Sequence, residues 1–405
     1  MKRIIYPTNA VTKDKFEGDY KAIFSTNYTK MQGVWEKLCN QLRDYSQHSE
    51  YYPDDIQSLF ISPYHDLVDV YIDYITIKNI SKKKNDSNFL DLHKKLVKLF
   101  NYSGERATIV SAYQPRIAKF FMDNSDLLNI HSCFYCETSY INSYGFNTVY
   151  QDFGDFLLNA TEEKICYYIR SKNGNVLSDS TIKKIMELRN NSDRKSIVIN
   201  FDKLGVWRHG NPSKSKQVKG TLYNHFDLDH FLPKGECPLV ALSLYNFVPS
   251  CSVCNEKLKH SDRVGGLDKN KLLRFSPTSD HYKFDNEISI VVTPNPSIST
   301  LRAQMHDKDF KIEFLPNGSD RDYLAIVNEF RLEERYNYHK KLALKRYDLY
   351  HDYSDATITA IKTTLGDIKT EEDIKEDIFG ERFINDNNRC FGKLIRDIKK
   401  QCQNK

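Results

Sequence analysis

The sequence predicts an α+β protein, mainly helical, arranged around a short strand, loop, strand, helix core. Three observations predict it. The 405 residues are 40% hydrophobic and include 26 Tyr and 23 Phe, a composition that packs cores rather than staying disordered. Through residue 130 or so, apolar side chains recur at three- and four-residue spacing, the period of an amphipathic helix. Between Phe226 and Lys259 an alternating run ends in Asp229-His230, a second short run contains Asn246 and Pro249, and a helix start follows near Ser252. At roughly 150 residues per domain the length allows two or three folded units.

Taken in order, Met31, Trp35, Leu38, Leu42 and Tyr45 share one helical face, and Thr29 with Gln32 makes a capping box ahead of it. Ser62-Pro63 predicts a second helix, serine as N-cap and proline at the first helical position. A third runs from about Phe89 to Phe100, after the polar, basic stretch Ser81 to Asn88. Residues 150 to 190 carry two further helical patterns, and Ser196 to Phe201 reads as a strand. Strands are predicted at Ile288 to Thr293 and Phe310 to Phe314. One long helix then starts near Ser319-Asp320, with Val327, Phe330, Tyr338, Leu342 and Leu349 on a stripe. The expected organisation is a helical region over 1–130, a core over 131–280 and a strand-then-helix region over 281–405.

Several function classes are excluded. No window approaches the ~18 uninterrupted apolar residues of a membrane helix, and the opening Met1 to Pro7 is too short for a signal peptide, so a cytoplasmic location without membrane contact is expected. Gly265-Gly266 lacks the Lys-Ser/Thr partner of a phosphate loop, which argues against nucleotide hydrolysis. The net charge of +5 is localised: Gly205 to Phe275 holds eleven basic and six acidic side chains, an excess equal to that of the whole chain. A local basic face suits a polyanion. Within it, Arg208, Lys214 and Lys216 lie in a Gly/Pro/Ser-punctuated loop that either contacts phosphates or is simply solvated.

The stretch Asp227-Leu228-Asp229-His230-Phe231-Leu232-Pro233-Lys234, with Asn246-Phe247-Val248-Pro249 and then Cys251-Ser252-Val253-Cys254-Asn255, resembles the HNH nuclease family and its ββα-metal finger. The family pattern of Asp-His, then Asn, then Asn nine residues on falls at Asp229-His230, Asn246 and Asn255. The chemistry suits those residue types. Phosphodiester cleavage needs a base for water and a divalent cation for the charge on phosphate. A neutral His230 can take the proton, while Asp229 and Asn255 offer hard oxygens suited to Mg²⁺ or Mn²⁺. The resemblance implies that Asn246 holds the loop bearing His230 and orients its imidazole. Lys257 and Lys259, near the helix start, are expected to meet phosphate oxygens.

Nine cysteines, an odd number, are more readily metal ligands or buried thiols than disulfides in a reducing compartment. Cys133-x-x-Cys136 and Cys251-x-x-Cys254 together supply the four thiolates of a structural Zn²⁺ site, closed to chemistry, while the other five cysteines have no partner spacing. The 114 residues between the pairs predict an insertion over about 137–220. With Cys133-Phe134-Tyr135-Cys136-Glu137 and Phe330 to His339, these motifs look like a bacterial branch of HNH proteins that includes nuclease subunits of antiphage systems such as Septu. That resemblance implies a DNA substrate, with RNA left open, 5′-phosphate products and an ABC-type ATPase partner. Two alternatives stay open: a zinc-ribbon module that only binds nucleic acid, and a nuclease subunit active only within an assembly.

Overall fold

The computed structural model describes residues 1–102, 113–145, 153–170, 175–191, 193–208, 222–260, 264–294, 309–380 and 389–403. The fold is mixed α and β, mostly helical, with small antiparallel sheets. The chain divides into two compact units, Ser143–His225 and the remainder on either side of it.

The larger unit opens with helices α1 (Ala10–Ala22), α2 (Tyr28–Tyr45), α3 (Ile56–Phe60), α4 (Tyr64–Lys83), α5 (Ser87–Leu99) and α6 (Gln114–Asp123). The apolar stripe read from the sequence is the buried face of α2, where Met31, Trp35, Leu38 and Leu42 are covered. The expected capping box is absent. Asn27 is the N-cap, and Gln32 turns outward to donate to Asp54 O at 2.9 Å and accept from Ile56 N at 3.0 Å, tying α2 to α3. Ser62 does not cap α4 either, because Pro63 is itself the N-cap residue. Asp86 caps α5, its carboxylate accepting from Asn88 N and Phe89 N.

Ser143–His225 holds strands β1 (Ser143–Gly145), β2 (Ile169–Arg170), β3 (Trp207–Arg208) and β4 (Leu222–Asn224), with β1 paired to β4 and β2 to β3. Its helices are α7 (Phe153–Asn159), α8 (Glu162–Tyr168), α9 (Asp179–Glu187) and α10 (Arg194–Lys203). Helix α10 replaces the strand predicted at 196–201. Asp193 accepts from Lys195 N and Ser196 N and so starts a helix, and burial falls on Ile197 and Phe201, four residues apart, while Ile199 is exposed. Helices α7 and α10 touch at backbone distance: a Cβ on Gly154 would lie 2.3 Å from Arg194 O.

Returning to the larger unit, β5 (Asp227–His230) pairs with β6 (Phe247–Ser250), Asp229 opposite Val248 and His230 opposite Phe247. A π-helix follows at Val253–Lys259, then α11 (Lys269–Phe275) and α12 (Phe284–Glu287). The predicted strands appear as β7 (Ile288–Pro294) and β8 (Phe310–Pro316), antiparallel, with Ile290, Val292, Ile312 and Phe314 buried. The single long helix does not. It is α13 (Leu324–Glu329), α14 (Leu332–Tyr338) and α15 (Lys340–Asp352), first broken where Arg331 adopts φ +48°, and α16 (Asp355–Leu365), α17 (Glu371–Phe379) and α18 (Gly392–Gln403) follow.

Tyrosines of the N-terminal helices seat the loop that joins β5 to β6. Tyr20 Oη donates to Leu242 O at 2.9 Å, Tyr71 bonds Glu236, and Ser243 Oγ donates to Leu59 O at 2.8 Å. Lys78 Nζ adds a bond to Glu236 O at 2.8 Å, so this helical layer fixes the loop on which His230 rests. The outer edges of the β7–β8 ladder are closed by side-chain amides: Gln401 on Val292 and Asn337 on Ile312, each accepting from the N–H and donating to the C=O.

Gly154→Ala is predicted to cost about 1–3 kcal/mol by forcing α7 off Arg194. Urea unfolding of the variant checks this, and an unchanged midpoint contradicts the close approach.

Candidate metal centre and hairpin site

Cys133 and Cys136 lie on a tight turn closed by Glu137 N donating to Cys133 O at 2.9 Å, with Glu137 at φ +51°. Cys251 directly follows β6 and Cys254 lies in the first turn of the π-helix, the step between them fixed by Asn255 N donating to Cys251 O at 3.0 Å. The four Sγ atoms all lie within 4.8 Å of one another and all four residues are buried. Such a cluster can hold a metal ion such as zinc, whose tetrahedral preference four sulfurs satisfy. Burial pushes the Cys133 thiol well up, while hydrogen bonds from Cys133, Cys136 and Cys254 hold Cys251 well down. Without a cation the four sulfurs share limited negative charge. A divalent ion is what allows all four to ionise.

The turn also reaches the hairpin. Phe134 N donates to Pro249 O at 3.4 Å, and Tyr135, between the two cysteines, donates its hydroxyl to Asp229 Oδ2 at 2.5 Å. The Tyr135 ring stacks on Phe330, centroids 4.4 Å apart and planes 14° apart.

On β5 successive side chains take opposite faces, and their partners separate accordingly. Asp229 is 4% exposed and accepts from Tyr135 and from Lys259 Nζ at 3.1 Å; Lys259 Nζ also donates to His230 O at 3.0 Å. Asp227, two residues earlier, takes a hydrogen bond from Asn255, and its buried Oδ2 has no partner. Burial lifts the Asp227 carboxyl above its ordinary value against that bond. Two strand carboxyls two residues apart thus meet two helix side chains four residues apart. The π-turn, closed by His260 N on Asn255 O at 2.9 Å, sets that spacing.

His230 is 7% exposed on the other face, edge-on to Tyr102 with ring centroids 4.7 Å apart and the same distance from the Phe247 ring. Its Nε2 lies 3.0 Å from Ala241 O. A carbonyl only accepts, so Nε2 carries the proton and Nδ1 keeps the lone pair. Burial, with Lys234 and Lys259 nearby, holds the imidazole well below its ordinary pKa against the Ala241 bond, so it is neutral at neutral pH. Asn246, fully buried, accepts from Leu232 N at 2.8 Å and donates to Leu232 O and Val240 O, each at 3.0 Å. It clamps both ends of the loop whose Ala241 carbonyl grips His230.

Several expected site residues are placed differently. Lys259 is 1% exposed and committed to Asp229 and His230 O, so it is a buried counter-ion rather than a phosphate contact; a lysine at the end of a seven-residue helix points back beneath the hairpin. Lys257 is exposed. Of Arg208 only the backbone is described, in β3, and Lys214 and Lys216 lie outside the described residues. Asp229, expected to ligate a cation, already faces one in Lys259. The sequence reading missed Asp227, Tyr135, Tyr102 and Arg335. Asp227 was legible, being two residues from Asp229 on one strand face, and Tyr135 sits inside a motif already singled out.

No protein-family model matches the chain, and neither a curated protein nor a solved structure matches it.

Lys259→Met leaves Asp229 buried without its cation and is predicted to destabilise the larger unit by about 3–5 kcal/mol in urea unfolding; a loss under 1 kcal/mol contradicts the pairing. Cys251→Ser is predicted to lower bound zinc well below one per chain by elemental analysis, and full stoichiometry in that variant removes Cys251 from the centre.

Proposed function

We propose that the chain is a metal-dependent endonuclease of HNH type that hydrolyses phosphodiester bonds of DNA, acting as the nuclease effector of a bacterial antiphage system. The observation that carries the reading is His230: Nε2–H is spent on Ala241 O, and Nδ1 remains as a neutral base. It ends a strand bearing Asp227 and Asp229, and that strand is followed by a second strand and a helix bearing Asn255. In this reading His230 Nδ1 takes a proton from water as it attacks phosphorus. Asn246 acts as a positioning residue, because the segment it clamps at Val240 carries the carbonyl that orients His230. Lys257, exposed on the helix, meets a backbone phosphate.

A divalent cation, Mg²⁺ or Mn²⁺, would supply charge stabilisation at the phosphate oxygens. The buried, partnerless Oδ2 of Asp227 beside Asn255 fits a hard cation. Asp229 fits one only with Lys259 displaced, since the ammonium holds its carboxylate.

The near-complete burial of His230 and Asp229, with Tyr102 against the imidazole, favours a nuclease whose site opens on a partner or substrate over one active unaided. A partner ATPase belongs to this second reading.

Plasmid DNA incubated with wild type in Mg²⁺ or Mn²⁺ is predicted to be nicked or linearised, EDTA to stop it, and His230→Ala to slow it at least ~10²-fold at unchanged zinc content. Cleavage retained by His230→Ala overturns the mechanism. Silence from the wild type, with and without an added ATPase partner, overturns the activity.

A further inference from the structure

Arg335 belongs to neither Cys-x-x-Cys pair and lies 81 residues beyond Cys254. It projects from α14, and its guanidinium reaches both pairs: Nη1 donates to Cys254 Sγ at 3.2 Å and Nη2 to Cys136 Sγ at 3.2 Å. Nη2 also donates to Thr138 Oγ1 at 2.9 Å, and that hydroxyl and the Thr138 N–H in turn donate to Cys136 Sγ at 3.2 and 3.4 Å. Nη1 has a further, longer bond to Phe330 O at 3.3 Å.

Among the described residues the half-buried guanidinium forms no ion pair with a carboxylate. A cation withdrawn from water needs an anion. The anions within reach are the sulfurs, and the planar fork takes one from each pair rather than two from the same pair. Four neutral thiols would give such a fork little to bind. Four thiolates around a divalent ion carry two net negative charges, and Arg335 offsets one of them.

We propose that Arg335 is the outer charge partner of a tetrathiolate metal centre, bridging one sulfur of each Cys-x-x-Cys pair and slowing the loss of the bound ion. N–H groups aimed at a metal-bound sulfur stabilise its negative charge and fix its direction, so each thiolate is harder to detach. The same contacts make the docking of α14 depend on the metal. When the centre is loaded, the fork and Tyr336, whose hydroxyl donates to Cys136 O at 2.8 Å, hold the helix against the cysteine turn. Tyr336 is the internal comparison, because it grips the same turn from the next residue through backbone alone.

The test uses the full chain loaded with Zn²⁺ and, separately, Co²⁺. Zinc transfer to an excess of chromogenic chelator is timed, and the thiolate-to-cobalt charge-transfer band is recorded. Arg335→Met is expected to release zinc about tenfold faster and to move the band to lower energy, as expected for an outer-shell partner. Arg335→Lys recovers part of both, and Tyr336→Phe changes neither by more than about twofold or a few nanometres. Wild-type rate and band in Arg335→Met overturn the proposal, as does Tyr336→Phe matching Arg335→Met in release rate, which assigns the effect to helix docking. If Arg335→Met does not fold, Arg335→Lys decides on the same readouts, an unchanged rate and band overturning the role. A wild type that takes up neither ion overturns the centre and the proposal together.

Discussion

Four sulfurs buried within 4.8 Å of one another cannot all ionise without a cation, and the packing around the β5–β6 hairpin is built on that cluster. Bringing residues 133–136 to residues 251–254 lays the cysteine turn along β6 and carries Tyr135 to Asp229. Asp229 in turn holds Lys259, which reaches back from the far end of the π-helix to the carbonyl of His230. The centre is therefore connected to both strands and to the helix by polar contacts that are themselves buried. Each such contact is worth little in water and much in a low-dielectric interior, where an unmatched partner is costly.

The two faces of β5 carry different duties. The Asp227 and Asp229 face meets the π-helix and the cysteine turn, and its charges are matched within the fold except at Asp227 Oδ2. The His230 face meets aromatic rings and the loop 231–246, which the N-terminal helices clamp through tyrosine hydroxyls and Asn246 clamps from within. A scaffold rich in tyrosine serves this arrangement because each ring supplies apolar area while its hydroxyl reaches a loop carbonyl. The helical region is thus what gives the imidazole a fixed proton and a fixed direction.

The paired strands at 227–230 and 247–250, the strands at 288–294 and 310–316, and the meeting of the two cysteine pairs were legible because short alternating runs and paired thiols leave few alternatives. The stretch 196–201 was not: its apolar run fits either period, and the deciding signal was the Asp193 cap just upstream. The break at Arg331 was hidden because no glycine or proline marks the left-handed residue there. Lys259 was misassigned because the sequence places it close after a helix start, where a lysine suits a phosphate, whereas it ends the short π-helix and packing turns it onto a buried carboxylate. Arg335 had no local signal at all, since its partners lie 81 and 199 residues away.

The claim that the cysteine centre organises the hairpin is tested most directly by backbone amide hydrogen exchange before and after metal removal with a chelator. Loss of protection across Asp227–His230 and Phe247–Ser250, with α2 and α4 retaining theirs, is the predicted result. Unchanged protection in both strands after the metal is gone would contradict it.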